Sequence, residues 1–437
     1  MIKFLFGIVL IVSGFYRTIF VDPVWGLYLF AALTHIRLTQ LGENIALPLQ
    51  VPMAIACLTL IMYLASPRYD RKFSKWSIDI FLMACMVIGM AISSWGAEFN
   101  SEVSWKFTSD FAKYFVFFVI LVNMVDSLEK VEWFHRTLIL AAVWLVYRCW
   151  DLRGTTGARF ENIGGDVISD GNHYAAALVF LFPFVFQKCM SKDRRISIGA
   201  AILCFGIIMA IFISGSRGGL LGITALGVWL IVAFKEQRKK VLLVAISVGL
   251  ISVLFMNDFQ KERLSDLFSA TSEETRDSSA QGRIDFWKLA LELFKENPVA
   301  GVGLGNFPYH AGYRVEGLRK GEPGHVTHSL WFEVISEGGL VVTVPLLLLF
   351  YRFYRNTKRA IVGLRIQQRT EEILYITTAR VALGAFLVCA TFLNRLIYEP
   401  IYWCIGLGVI HCYLTVNQEK GLQERKIGRF ILEQKQA

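Results

Sequence analysis

The chain lacks the marks of a protein held together by disulfides or metal. Its eight cysteines, Cys57, Cys85, Cys149, Cys189, Cys204, Cys389, Cys404 and Cys412, are scattered, mostly inside apolar runs. They form no C-x-x-C pair and no Cys/His grouping at metal-ligand spacing, which argues against a disulfide framework and a zinc site. Charge is scarce too: 18% of the 437 residues are charged against 55% hydrophobic, with a mean hydropathy of +0.49. This excludes several soluble domains in series and reads as one polytopic membrane protein. No internal repeat or low-complexity tract is visible. A cleavable leader is missing as well, because "MIKFLFGIVLIVSGFYR" leads straight into more apolar sequence with no small-residue cleavage pattern; a retained N-terminus is expected.

Acids are outnumbered, 45 Lys plus Arg against 35 Asp plus Glu, for a net charge of +10. In a soluble chain that excess would point to nucleic acid. Here the basic residues lie between apolar spans, where they set topology, and no nucleic-acid partner is expected. A helix needs about 20 apolar residues to cross a hydrocarbon core of roughly 30 Å. Candidate spans are 47–65, 77–95, 108–125, 132–150, 173–188, 196–213, 217–234, 240–257, 328–351, 376–393 and 397–416. Residues 4–35, interrupted by Arg17, Asp22 and Pro23, form one segment or two. The expected fold is an all-α polytopic membrane bundle of about twelve transmembrane helices.

Orientation follows from the loops. Segments 66–76, 188–196, 235–240, 352–369 and the tail after Val416 are rich in Lys and Arg, and an even number of spans separates each from the next. All five are therefore expected on the cytoplasmic side, with 96–106, 151–172, 214–217 and 258–327 outside. The turn "DSLEKVE" (126–132) dissents, being acidic where the model wants it cytoplasmic. The domains expected are N-terminal membrane helices over 1–257, a mostly helical periplasmic piece over 258–327, C-terminal membrane helices over 328–416 and a basic cytoplasmic tail over 417–437. Within the periplasmic piece, "RIDFWKLALELFKENP" spaces Ile284, Trp287, Leu291 and Phe294 as the apolar face of a helix stopped by Asn297-Pro298.

Chemistry concentrates in three outward segments. In "FISGSRGGLLG", Arg217 opens a span, where the first helical N–H groups and the macrodipole favour an anion. Gly215, Gly218 and Gly219 would let a bulky ligand approach the backbone; a tight turn with a snorkelling arginine is the competing reading. Arg283 is expected to repeat the arrangement by opening the amphipathic helix after "SAQG", or else to be a solvated surface cation. In "PGHVTHSLWFEVISEGGL", Thr327 can cap a helix with His328 in its first turn, where the dipole keeps the imidazole neutral and able to accept a proton. Glu333 and Glu337 lie four apart on one face of an apolar span, as a structural network or in catalysis, and His325 sits in the preceding loop. Nearby acids show no ligand spacing, so no metal and no cofactor are expected. Asn172 and His173 open another span on the same side, and Arg153 and Arg159 lie in the loop before it; Lys113 and Arg380 are expected to pair with acids or reach a headgroup. Two arginines and a neutral histidine at the membrane boundary suit a lipid-borne diphosphate leaving group and an attacking hydroxyl, without a metal.

These segments resemble a known family. "FISGSRGGLLG", "QGRIDFWKLALELFKENPVAGVGLGNF" and "THSLWFEVISEGGL" are similar to three signature regions of the bacterial O-antigen ligase and polymerase superfamily. "RTIFVDPVWGLYLFAALTHIRL" and "DGNHYAAALVFLFPF" resemble its exosortase-A-associated O-glycosylation ligase branch. The resemblance implies a glycan donor on undecaprenyl diphosphate, an inverting, metal-independent transfer to a hydroxyl acceptor, and an active site on the periplasmic face of the bacterial inner membrane. It carries the diphosphate-binding arginines over to Arg217 and Arg283 and the base to His328. Serine follows His328 where many members have asparagine, which leaves the acceptor open, and a polymerase would use the same donor. A lipid-glycan transporter is the competing class, but it would call for a pseudo-repeat and mid-membrane charges.

Overall fold

A computed structural model describes residues 2–36, 51–69, 78–151, 170–234, 238–239, 278–315 and 323–416. Among them no strand occurs. The helices are α1 (Ile2–Phe20), α2 (Val24–His35), α3 (Val51–Ala65), α4 (Ile78–Trp95), α5 (Ser101–Met124), α6 (Leu128–Asp151), α7 (Gly171–Lys188), α8 (Arg194–Ile213), α9 (Arg217–Ala233), α10 (Ser278–Glu296), α11 (Phe307–Arg314), α12 (Leu330–Ile366), α13 (Thr370–Ala390) and α14 (399–416). Five of these, α4, α5, α8, α12 and α13, are long and apolar enough to cross a membrane, and α2, α3, α9 and most of α1 are shorter apolar helices. The expected span 240–257, Arg153, Arg159 and the tail 417–437 lie outside the described residues.

Residues 4–35 make two helices. Pro23 removes a donor, and the Asp22 carboxylate accepts the Val24 N–H at 2.9 Å, so the chain turns and restarts. The hairpin closes on small residues: Gly14 lies against Leu29, and Gly26 against Thr18 and Thr59, where a Cβ would overlap. At the centre stands α7, with nearly every residue from Tyr174 to Gln187 buried, ringed by α6, α8, α9 and α13.

Among the described residues, those of the loops 66–76, 188–196 and 352–369 share one end of the bundle. The Tyr69 hydroxyl donates to Asp22, Tyr28 Oη donates to the Lys130 carbonyl, and Lys188 Nζ lies 3.1 Å from Glu132. The dissenting acidic turn joins them because its charge is neutralised internally: Asp126 pairs with Lys130 at 2.9 Å and Glu132 with Arg136 and Lys188. At the same end α4 and α12 are joined by a bidentate pair, with Arg352 donating to both oxygens of buried Asp79 at 2.9 and 2.8 Å.

Near the opposite end α12 is broken. Gly339 has φ 57° and ψ −161°, outside helical geometry, and the glycine-rich loop 298–306 fills the break. Leu340 and Val341 donate to the carbonyls of Pro298 and Val299, while Val302 and Gly303 donate to those of Ser336 and Glu337. Non-helical backbone at this depth is tolerated because each freed group finds a partner inside the protein. Gly301, at φ 69°, lies so close to the Glu337 and Gly339 backbone that a Cβ would sit 2.4 Å from the Glu337 carbonyl. Asn306 then ties the loop to α5: its Oδ1 accepts Asn100 N–H at 2.8 Å and its Nδ2 donates to Ser104 Oγ at 2.7 Å.

Two sequence expectations shift. The amphipathic helix α10 begins at Ser278, so Arg283 projects from its second turn and does not open it. Its buried face is Phe286, Leu289, Ala290 and Leu293, packed with Val302, Phe307 and Ala311, whereas Leu291 is exposed. The expected stripe of Ile284, Trp287, Leu291 and Phe294 is therefore displaced, because α10 packs against α12 and α11 through the neighbouring face.

Candidate active site

Five segments meet at the end of the bundle away from the basic loops: 170–173, 214–219, 283–287, 325–329 and 391–396. The first is fixed by Asp170, whose Oδ1 accepts the N–H of Asn172 at 2.7 Å and of His173 at 2.9 Å, capping α7, and lies 3.2 Å from His173 Nδ1. Burial alone would raise the Asp170 pKa, but the imidazole and the two amides outweigh it and hold the carboxyl well below the usual range.

The second segment docks onto the first. Ser216 is the N-cap of α9, accepting Gly219 N–H at 3.0 Å while donating to Asn172 Oδ1 at 2.8 Å. Arg217 is therefore the first residue of α9, as its sequence predicts. Of the glycines around it, Gly215 makes the turn at φ 63°, and Gly218 has only ordinary contacts, the nearest being Phe392 Cβ at 3.8 Å. Gly219 is a packing residue: a Cβ there would meet Ala175 at 2.5 Å, so it serves the α7–α9 contact and gives no room to a ligand.

His328 lies one residue outside α12, which starts at Leu330 with Ser329 at its boundary. Thr327 does not cap the helix; its hydroxyl donates to the Ser329 carbonyl at 3.1 Å and bonds Asn394 Oδ1 at 3.3 Å. His328 itself adopts φ 50°, a left-handed conformation uncommon outside glycine and of the kind that gathers at functional sites. Trp287, one turn beyond Arg283, fastens the segment by donating to the Thr327 carbonyl at 3.0 Å and stacking on Phe332.

Burial pushes the His328 pKa down to about 4, with the positive charge of Arg283 adding to the effect, while Asp170 opposes it. The neutral imidazole predicted from sequence is thus present, but the cause is desolvation and a neighbouring guanidinium more than the helix dipole. His325 is exposed, with its ring centroid 6.4 Å from that of His328.

Glu333 and Glu337 hold the scaffold through backbone amides, and Arg395 acts on Glu333 electrostatically. Glu333 Oε2 accepts Leu396 N–H at 3.2 Å, fixing the 391–396 turn, and Glu337 accepts Gly305 and Phe307 N–H at 2.8 and 3.0 Å, fixing the glycine loop. The turn anchored by Glu333 carries a residue that the sequence reading passed over. Arg395 is buried, with its guanidinium 5.1 Å from the Tyr398 ring centroid and within electrostatic reach of Asp170, His173 and Glu333. Burial lowers its pKa to about 10, which leaves it a cation at neutral pH. The signal was available: like Arg217, it is a lone arginine in a short outer turn between two apolar spans. Cations, a neutral proton acceptor and a helix N-terminus are the equipment for holding an anionic leaving group and deprotonating a hydroxyl.

Comparison with known proteins finds a likeness in the same part of the chain. Residues 200–347, which include Arg217, Arg283 and His328, match the family described as O-antigen ligase. An uncharacterized protein of Haemophilus influenzae is 23% identical over 197 residues, covering 42% of this chain and 49% of that protein. The chain thus spans about half the length of the curated relative it matches. The family match supports a membrane ligase- or polymerase-type role.

Proposed function

We propose that this protein is a membrane glycosyltransferase that moves a glycan from undecaprenyl diphosphate to a hydroxyl acceptor at the periplasmic face of the inner membrane. Arg217 and Arg283 hold the diphosphate, and His328 takes the acceptor proton. As the acceptor oxygen bonds to the anomeric carbon, the bond from that carbon to the diphosphate breaks, and its electron pair leaves with the carrier. The developing negative charge meets guanidinium groups already fixed in a partly buried site, so no ion need be recruited. Asp170 and His173 position the α7 end of the site, and Arg395 adds positive potential beneath it. The acceptor belongs to a ligase reaction, in line with the resemblance of 17–38 and 170–184 to the exosortase-A-associated branch; a polymerase would use the same donor and differ only in what attacks.

One observation carries the reading: Trp287–Thr327 ties the Arg283 and His328 segments, with Arg283 acting electrostatically on His328, and the Arg217 segment, bonded to Asn172 through Ser216, joins them through Phe392, which lies beside both Gly218 and Trp287. The test is release of undecaprenyl diphosphate from undecaprenyl-diphosphate glycan by purified protein, with and without a chelator. Turnover should persist in chelator, fall by roughly 10²–10⁴-fold in His328→Ala, and fall by roughly 10²–10³-fold in Arg217→Ala and Arg283→Ala. Full turnover in His328→Ala would remove the base assignment, and full turnover in both arginine variants would remove the diphosphate site.

A further inference from the structure

At the basic end, on the opposite side of the bundle from His328, the ends of α7, α9, α12 and α13 enclose a cleft of about 1020 Å³. Five cations line it, Lys188, Lys192, Lys358, Arg365 and Arg380, against a single acid, Glu371. Of the five, Lys188 is partly matched by Glu132 at 3.1 Å, and Arg380 lies 4.9 Å from the Tyr354 ring. Between the cations the wall is apolar and open: Trp229, Val232, Tyr354 and Val362 line the cleft and are 39%, 56%, 50% and 50% exposed.

Its depth is set by α12. Leu330, beside His328, and Arg352 are 22 residues apart on α12, and the two halves on either side of the Gly339 break together measure at most roughly 30 Å, about one hydrocarbon thickness. Arg352, bound to Asp79, therefore marks the far boundary of the apolar layer, and Tyr354, Lys358 and Arg380 stand at the headgroup level just beyond it. A cation cluster at that level, continuous with an exposed apolar and aromatic wall, matches a molecule with a phosphate head and acyl chains. A free anion would use the cations and leave the wall unused.

We propose that this cleft is a binding site for the headgroup of an anionic phospholipid from the surrounding leaflet, with the first part of its acyl chains on the Trp229–Val232 wall. Basic pockets between membrane helices on the cytoplasmic side are a recurring form of such recognition. The inference is independent of the glycosyl-transfer reading, since no residue is shared.

The test is native mass spectrometry of the full-length detergent-solubilised protein titrated with cardiolipin, phosphatidylglycerol or phosphatidylcholine, with inorganic phosphate as a separate competitor. The two anionic lipids should bind in preference to phosphatidylcholine, and millimolar phosphate should not displace them. The combined Lys358→Gln, Arg365→Gln and Arg380→Gln variant should weaken cardiolipin binding by on the order of 100-fold, from about fivefold per cation. A charge-matched control, Lys106→Gln with Lys288→Gln and Lys295→Gln at the other end, should bind as the parent does. Equal loss in both triple variants, equal binding of phosphatidylcholine, or displacement by phosphate would each overturn the proposal. Gel filtration of the variants, with Lys358→Gln and Arg365→Gln as a milder pair at exposed positions, separates lost binding from misfolding.

Discussion

The depressed pKa of His328 makes an uncommon demand on the pH profile of the proposed transfer. A histidine at its ordinary value of about 6.5 is only about 9% neutral at pH 5.5, whereas one at about 4 is about 97% neutral there. Because kcat/KM reports the free enzyme, its acid limb should have a midpoint near pH 4, and activity at low donor concentration should survive at pH 5.5. The complex behaves differently. Burial is the largest cause of the shift and the Arg283 charge the next; a bound diphosphate offsets that charge, so the acid limb of kcat should lie above that of kcat/KM. Arg283→Gln should raise the limb of the residual kcat/KM by removing the same repulsion. The assay is carrier diphosphate release across pH 3.5–8 at donor concentrations well below and well above KM. A kcat/KM limb centred near 6.5, or a kcat limb below it, would refute the assignment of His328 as a base held neutral by burial and Arg283.

Three further outcomes concern the scaffold, each read by thermal unfolding in detergent. Gly301→Ala forces a side chain into a left-handed φ of 69° and against the Glu337 carbonyl at 2.4 Å, and should destabilise by about 2–5 kcal/mol from the two effects together; a parent-like melting temperature would mean that the loop does not occupy the break in α12. Asp79→Asn strands Arg352 and should lose about 3–5 kcal/mol, whereas Asp79→Leu with Arg352→Met should recover most of it, since a buried pair is often replaceable by apolar packing; no recovery would show that the charges themselves are needed. Ser216→Ala removes both the α9 cap and the link to Asn172 and should cost about 1–2 kcal/mol and lower turnover, whereas Ser216→Thr should keep the cap and most of the activity.

The sequence was most informative where the physics is local. Apolar length located α4, α8, α9 and α13 to within a few residues, except that α13 begins six residues before the predicted span, and the basic loops that are described fall together at one end of the bundle. The starts of α7 and α9 were legible from their apolar runs, while the residues that cap them, Asp170 and Ser216, were not singled out, and the cap that was expected, Thr327, does not cap α12. The errors share a cause. Arg283 was expected at a helix start because a polar tract precedes it, yet α10 runs back to Ser278; polar residues do not forbid a helix whose other face is packed. The α10 face was misjudged because its partners, α12 and α11, are not legible in a periodicity.

Composition and span length alone decide that this chain is a helical membrane protein, which loops share a side, and that Arg217 begins a helix, because each depends on the hydropathy or capping of neighbouring residues. Only the tertiary structure decides that Arg395 belongs beside His173, that Glu333 and Glu337 accept backbone amides from distant turns, and that loop 298–306 completes a broken helix. Those contacts join residues tens to hundreds of positions apart, and side-chain type alone does not say which helix ends will meet.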